Sequence, residues 1–248
     1  IPSLKDLASK IDKLPIYDIA RKSALNTAKI LSERVGVEIY LKREDTQKVF
    51  SFKCRGAYAK LKSLSAKEQK KGVICASAGN HAQGLALSAQ KLGILATIVM
   101  PLITPDIKVE AVKRLGANVV LYGDIYDQAY QHACELQTKH DYTFIHPYDD
   151  WDVIAGQGTI AKEILEQSKK NIEAIFVPVG GGGLIAGILA YIKAKKPDIK
   201  IIAVEPENSA CLAEAIKAKK RVILDHVGIF ADGVAVKQIG RRPWALLQ

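Results

Sequence analysis

Short runs of β-branched and aliphatic residues alternate with longer helical stretches along most of this chain. In its middle part the predicted strands are Val73–Ala76, Ala96–Met100 and Val119–Tyr122. The helical stretches that follow them begin near Asn80, Thr104 and Ile125. This order is typical of βαβ units, in which a helix connects two parallel strands. The sequence therefore predicts an α/β fold with parallel sheets covered by helices on both faces.

The same order continues in the second half of the chain. It predicts a strand at Thr143–His146, a helix around Ile160–Leu165, a strand at Ile175–Val179, a helix at Ile185–Lys195 and a strand at Ile201–Val204. Because no repeat, linker or low-complexity tract interrupts the pattern, we expect two lobes whose ligand lies at the carboxyl ends of the strands.

Both ends of the chain give further expectations. Near the start, Val37–Leu41 predicts a strand, and Ser51 opens a predicted helix at Phe52–Leu64. Thr104 is expected to cap the helix that follows it, with a proline at the next position. The tail Arg241–Gln248 shows no clear pattern, and we expect the fold to be incomplete at its C-terminus.

Composition limits the classes of function. The 248 residues, 48% of them hydrophobic, are enough for one large domain or two small ones. No apolar run reaches membrane-spanning length and no secretion signal is visible, so we expect a cytoplasmic protein without membrane contact. The net charge of +10 comes from scattered lysines and arginines, most of which we expect on solvated helix faces, so nucleic acid is not expected. An anionic ligand fits the charge equally well. The sequence contains neither a CxxC pair nor a Cys/His cluster with metal-ligand spacing, so no metal site is predicted. Its cysteines, which lie far apart, are Cys54, Cys75, Cys134 and Cys211.

Four consecutive glycines follow the predicted strand Ile175–Val179. Gly180, Gly181, Gly182 and Gly183, with Leu184, lie directly before a helix. Backbone N–H groups at such a turn, together with the positive end of the helix dipole, can hold a phosphate. A glycine cluster can also serve only a tight turn.

The same glycines permit a dinucleotide interpretation. Gly181, Gly183 and Ala186 match GxGxxA, and Glu205 ends the next strand about twenty residues later. That interpretation leaves the two other unusual segments, around Lys53 and Ser77, without a role.

The segment Ser77–Gly84 also lies between a strand and a helix. Its small residues and the helix N-terminus suit a carboxylate, held by backbone N–H groups and the Ser77 hydroxyl. Alternatively, Asn80 is only a helix cap and His81 only a satisfied polar residue.

The segment Ser51–Gly56 places a lysine at a predicted helix start. The helix N-terminus and Arg43 or Arg55 would favour the neutral amine of Lys53, which can attack a carbonyl carbon. Alternatively, Lys53 is one more solvated charge among the 36 lysines and arginines, as most single lysines are.

Together these segments resemble the threonine and serine dehydratases of the fold-type II pyridoxal-phosphate family. The match extends from about Leu14 to Gly240. It includes the sequences SFKCRGA at 51–57, SAGNHAQG at 77–84, GGGGL at 180–184, KRED at 42–45, IAGQGT at 154–159 and ADGV at 231–234. Segments 204–212 and 227–236 are more similar to the biosynthetic branch than to the catabolic one. Serine racemase is a relative with another activity, but it has an acidic metal ligand where this chain has Cys211.

The resemblance implies a role for each matching residue. Lys53 would form the Schiff base with pyridoxal 5'-phosphate, take the substrate α-proton and act as the catalytic residue. Phe52, Asn80 and Gly233 would border the cofactor, and the glycines with Leu184 would hold its phosphate. The pocket for the substrate carboxylate would be lined by Ser77, Ala78, Gly79 and His81, and no metal would be bound.

The resemblance also implies an architecture and a reaction. The fold would be two-lobed and tryptophan synthase β-like, with 1–73 and 149–248 in a large lobe and 74–148 in a small one. The reaction would convert L-threonine, and L-serine, to 2-oxobutanoate or pyruvate and ammonia, the first step of isoleucine biosynthesis. We expect a homo-oligomer, dimer or tetramer. We expect the hydroxyl residue that bonds the pyridine nitrogen, and the regulatory domain of the family, to lie outside this stretch of sequence. The alternatives are a non-catalytic remnant and a serine racemase-like enzyme.

Overall fold

The computed structural model of the chain describes residues 1–228 and 230–248; Ile229, within the quoted segment 227–236, lies outside them. The strands are β1 Leu25–Thr27, β2 Tyr40–Lys42, β3 Val73–Ala76, β4 Ala96–Met100, β5 Asn118–Leu121, β6 Thr143–Phe144, β7 Ala174–Pro178 and β8 Lys200–Val204. The helices are α1 Leu4–Lys13, α2 Lys29–Val35, α3 Lys53–Ser63, α4 Ala66–Lys71, α5 Asn80–Leu92, α6 Asp106–Arg114, α7 Tyr126–His140, α8 Trp151–Gln167, α9 Gly183–Lys195, α10 Cys211–Ala218 and α11 Arg241–Leu247. Short 3₁₀ turns lie at Ile16–Asp18, Glu44–Thr46, Glu207–Ser209 and Asp232–Val234.

The strands form three sheets. The largest has the order β5-β4-β3-β6 and is entirely parallel, and β7 pairs in parallel with β8. These sheets confirm the predicted α/β fold. The third sheet differs from the prediction of parallel pairing, because β2 pairs antiparallel with β1. At three residues, β1 is too short to show a pattern in the sequence.

Helices cover both faces of the four-stranded sheet, as the sequence predicted. Val73 and Cys75 of β3 face a core shared with α3, α5 and α6, whereas Ile74 and Ala76 face Ala129 of α7 and its neighbours. This alternation follows from the two-residue period of a strand. A separate core lies around α1, α8, α9 and β7. The residue boundaries of the two lobes stay a prediction.

Two local predictions are wrong, each for a physical reason. The strand expected at Val37–Leu41 begins only at Tyr40, because the Ile39 N–H donates to the Ser32 hydroxyl instead of to a strand. The helix expected from Thr104 begins at Asp106. Pro105 is extended, and the buried Thr104 hydroxyl has no hydrogen-bond partner within the described residues.

The tail, which shows no clear pattern in the sequence, has regular structure. It forms α11, whose first N–H groups, those of Arg241 and Arg242, donate to the Asp149 carboxylate. The capping group lies 92 residues earlier in the chain, so no local sequence pattern shows it.

Helix α8 fixes α3 and α9 relative to each other. A side chain on Gly156 would meet the Arg55 carbonyl oxygen and the Gly56 Cα, both at 2.6 Å. One on Gly158 would lie 2.9 Å from the carbonyl oxygen of Gly187 in α9. The glycines of α8 therefore allow two helices to pack closely against α8. One is α3, which begins at Lys53, and the other is α9, which begins at the glycine-rich segment. No helix in the described part of the chain has the length and apolar character needed to cross a membrane.

Candidate active site

Lys53 is the first residue of α3, and its side chain is partly buried. Its Nζ donates to the Pro147 carbonyl oxygen at 3.1 Å and lies 5.5 Å from the centre of the Phe52 ring. Burial lowers the pKa of Lys53 to about 8, because the charged form loses solvation. The neutral amine is therefore accessible near neutral pH.

The two arginines expected to favour the neutral amine are engaged elsewhere. Arg43 pairs with Asp45 on the surface, and Arg55 is held by Glu44 and Glu163 in the interior. Burial, and not a neighbouring arginine, lowers the pKa of Lys53.

Gly84 brings α5 against the backbone of Lys53. A Cβ at this position would lie 2.8 Å from the Lys53 carbonyl carbon and 2.9 Å from the Cys54 nitrogen. Only glycine permits this approach without movement of backbone atoms. The close contact joins the segment Ser77–Gly84 to the candidate nucleophile, as the sequence predicted for a common site.

The glycine-rich segment offers unpaired donors. The N–H groups of Gly180, Gly181, Gly182, Gly183 and Leu184 donate to no protein acceptor among the residues described. They surround the N-terminus of α9, and Gly182 has a φ of +90°, which disfavours any other residue. Unpaired N–H groups at a helix N-terminus favour an anion, so this segment fits a phosphate group.

Tyr148 connects the glycine-rich segment to Lys53. Its ring covers Gly181 so closely that a Cβ there would lie 2.3 Å from ring atoms, and a Cβ on Gly183 would lie 2.9 Å from the Tyr148 Cα. The preceding residue, Pro147, accepts the Lys53 hydrogen bond. The amine and the anion site therefore meet at Pro147 and Tyr148.

The N-terminus of α5 lies at the same site. The Ser77 hydroxyl accepts from the Gly79 N–H at 3.3 Å, and the Asn80 and His81 N–H groups have no protein acceptor in the described structure. Asn80 is exposed, and a Cβ on Gly233 would lie 3.8 Å from its Nδ2. The turn that contains Gly233 also passes Gly180, since a Cβ on Gly180 would lie 3.1 Å from the Val234 Cα.

The His81 ring does not face this opening. It is buried, and its Nε2 donates to the Ile145 carbonyl oxygen at 3.0 Å. Burial, with the charge of Lys53 nearby, lowers the pKa of His81 to about 3, so the ring is neutral. Only the backbone of His81 is available to a ligand at the α5 N-terminus.

Glu205 is occupied by protein contacts. Its two carboxylate oxygens accept from the Leu212 and Ala213 N–H groups at 2.9 Å each, which caps α10. This carboxylate is therefore not free for a ribose hydroxyl, as the dinucleotide interpretation required. Within residues 1–228 and 230–248, no group of three or more His, Cys, Asp or Glu side chains is placed to hold a metal ion.

Sequence reasoning missed the segment 145–149, which connects the parts of the site. Residues Ile145, His146, Pro147, Tyr148 and Asp149 contact His81, Lys53, the glycine-rich segment and α11. Only the aromatic and proline content after a short strand distinguishes this segment in the sequence.

A family model described as pyridoxal-phosphate-dependent enzyme matches residues 16–248. The chain belongs to this family of enzymes. Membership confirms the predicted cofactor, pyridoxal phosphate, and the predicted fold-type II architecture. The donor set of the site fits that cofactor, because a primary amine lies close to an unpaired cradle of N–H groups suited to its phosphate.

Curated relatives and solved structures confirm the resemblance to threonine dehydratases. A biosynthetic, chloroplastic threonine dehydratase of Arabidopsis thaliana is 58% identical over 231 residues, which are 93% of this chain and 39% of that protein. The chain therefore spans about two-fifths of that relative. The processed form of threonine deaminase isoform 2 from Solanum lycopersicum has a TM-score of 0.95 and 51% identity, covering 98% of this chain and 70% of that one. Maize serine racemase is less similar, with a TM-score of 0.92 and 32% identity over 98% of this chain and 73% of that one.

Proposed function

We propose that this chain is the catalytic core of a threonine dehydratase, which deaminates L-threonine to 2-oxobutanoate and ammonia. L-serine, which would give pyruvate, is a second expected substrate, because one methyl group changes binding by only about 1–3 kcal/mol. The observation that carries the proposal is the convergence of the Lys53 amine and the unpaired N–H groups of Gly180–Leu184 on Pro147 and Tyr148. The name of the Arabidopsis relative, a biosynthetic threonine dehydratase, supports the substrate, and a place in isoleucine biosynthesis belongs to the same proposal.

Each part of the site has a role in this proposal. Gly180–Leu184 would hold the cofactor phosphate, and Phe52, Asn80 and Gly233 would border its ring. The α5 N-terminus, with Ser77, Ala78, Gly79 and the His81 backbone, would hold the substrate carboxylate through N–H groups. When bound, the cofactor supplies an aldehyde for amines and a ring that stabilises negative charge at the substrate α-carbon.

Lys53 would perform the proton transfer. A base works best when its pKa lies near the operating pH, and burial brings the pKa of Lys53 to about 8. Nζ would accept the substrate α-proton. That proton and the departing β-hydroxide together make up the one water that is lost, and a second water then hydrolyses the remaining C=N bond to give the keto acid and ammonia. The hydrogen bond to Pro147 holds Nζ at a defined place on the wall of the site.

Absorption spectroscopy with pyridoxal phosphate tests the cofactor anchor. The purified chain should develop the visible band of an amine linked to the aldehyde, and borohydride should abolish it. Lys53→Ala should lack the band, whereas Lys62→Ala should keep it, since Lys62 is an exposed lysine of the same helix. A band that survives in Lys53→Ala would refute the anchor.

Product analysis then separates the proposed function from its alternatives. Formation of 2-oxobutanoate from L-threonine supports the dehydratase. A normal band without any keto acid would identify a non-catalytic remnant, and conversion of L-serine to D-serine without pyruvate would identify a racemase. Homo-oligomerisation, a cytoplasmic location and the lobe boundaries 1–73 with 149–248 and 74–148 belong to the same proposal.

A further inference from the structure

Four residues of the segment 145–149 are each tied to a different part of the site. The Ile145 carbonyl accepts from His81, and the Pro147 carbonyl accepts from Lys53. The Tyr148 ring covers Gly181, and the Asp149 carboxylate caps α11. His146 is the one member of this segment whose side chain bonds within the segment itself.

The His146 ring closes a turn. Its Nδ1 accepts from the Asp149 N–H at 2.9 Å and is 3.4 Å from the Tyr148 nitrogen, whose N–H also points to it. Nδ1 therefore carries no proton, and the neutral ring has its proton on Nε2. The imidazole here does what an asparagine or aspartate side chain does when it accepts from backbone N–H groups two or three residues later.

Pro147 lies inside this turn. Its ring fixes its own φ, so the remaining freedom of its carbonyl comes from the peptide that joins it to Tyr148. The hydrogen bonds from Tyr148 and Asp149 to His146 restrict that peptide. The direction of the Pro147 carbonyl, and with it the place of the Lys53 amine 3.1 Å away, depends on the His146 acceptor.

We propose that His146 is a positioning residue: its Nδ1 fixes the turn 146–149 so that the Pro147 carbonyl holds the Lys53 amine in the site. This inference rests on the proposed role of Lys53. The His146 side chain has no hydrogen bond to Lys53 in the described structure, and it acts through the backbone of Pro147.

Two variants distinguish the effect of the His146 hydrogen-bond acceptor from the effect of its side-chain bulk. His146→Asn keeps an acceptor, since Oδ1 is as many bonds from the backbone as Nδ1, whereas His146→Leu retains the bulk and loses the acceptor. His226→Leu is the matched control, because His226 is exposed. The cofactor-free proteins are compared first, by amide hydrogen exchange and by the rate at which an amine-selective reagent labels Lys53, followed by mass spectrometry of its peptide.

In His146→Leu the Tyr148 and Asp149 amides should exchange at least about five-fold faster, as the loss of a hydrogen bond implies. Lys53 should be labelled several-fold faster, because its amine is no longer held by Pro147. His146→Asn should restore both values, and His226→Leu should leave both unchanged. In the cofactor-loaded enzyme, His146→Leu should lower kcat more than it changes KM for threonine.

Two results would overturn the inference. One is faster exchange of the Tyr148 and Asp149 amides with unchanged labelling of Lys53, since the turn would then not position the amine. The other is a failure of His146→Asn to restore the labelling rate. Either result would leave the Lys53-dependent absorption band intact, so failure of this inference is distinguishable from failure of the proposed function.

Discussion

At the residue scale, Gly84 determines how closely a helix approaches Lys53. The atoms that a side chain there would meet belong to the backbone of Lys53 and Cys54, so no rotation of a side chain can relieve the contact. In a helix without such a neighbour, replacing glycine with alanine is favourable by about 1 kcal/mol. Whether Gly84→Ala raises or lowers the free energy of unfolding therefore shows whether this backbone contact is present.

Gly84→Ala should lower the free energy of unfolding by about 1–3 kcal/mol, as inserting a methyl group into a tightly packed contact does. It should also weaken the Lys53-dependent absorption band, because α3 must move where the amine is attached. Chemical denaturation and the cofactor spectrum measure the two effects. Gly79→Ala is the control for stability, since a Cβ there meets nothing within 4 Å. An unchanged midpoint in Gly84→Ala would contradict the close packing.

At the element scale, a buried ion network joins α3, α8 and the segment around β2. The Arg55 guanidinium, with no exposed surface, donates to Glu163 at 2.7 Å and to Glu44 at 2.8 Å. Lys42 donates to the same Glu163 at 2.5 Å. Burial alone would raise the pKa of Glu163, but hydrogen bonds and charges of Arg55 and Lys42 outweigh it, and the net shift is downward.

Arg55→Met should destabilise the fold by about 3–5 kcal/mol, because it leaves carboxylates buried without their main partner. The double variant with Glu163→Gln should recover part of that loss, since it removes one unpaired charge. Arg43→Met should cost less than about 1 kcal/mol, because Arg43 and Asp45 form an exposed pair. Urea denaturation of the wild type and the three variants measures these free energies of unfolding. Equal losses in Arg55→Met and Arg43→Met would refute the importance of burial.

The sequence predicted the elements whose signals are local. Strands β3 and β4 and the start of α5 were predicted at the observed residues, because apolar runs and small residues mark them directly. Helix α8 was recognised only around 160–165, although it begins at Trp151, since its glycines, which serve helix contacts, resemble a loop. The predicted site residues at Lys53, Asn80 and Gly180–Leu184 come together, but the contacts of 145–149 that join them depend on distant partners and left no local pattern.

At the scale of the whole molecule, two buried histidines make stability depend on pH. Burial lowers the pKa of His146 to about 4, with further lowering by Lys53 and Arg242 and opposition from Asp149 and Asp150. The pKa of His81, lowered by burial and by Lys53, is about 3. Both rings are neutral in the folded protein at a pH where the unfolded chain would protonate them, near 6.5.

Acid should therefore destabilise this protein before its carboxylates titrate. As the pH falls below about 6.5, only the unfolded state gains protons at these two rings, so each histidine lowers the free energy of unfolding by up to about 1.4 kcal/mol per pH unit. Urea denaturation between pH 6 and 5 should show a slope that His146→Asn reduces by about half, because it removes one titrating ring and keeps its acceptor. Lys62→Ala, at an exposed position and without an imidazole, should leave the slope unchanged. Equal slopes in the wild type and His146→Asn would mean that His146 binds its proton at the same pH in the folded and unfolded states. That result would contradict a folded ring kept neutral by the bonds from Tyr148 and Asp149.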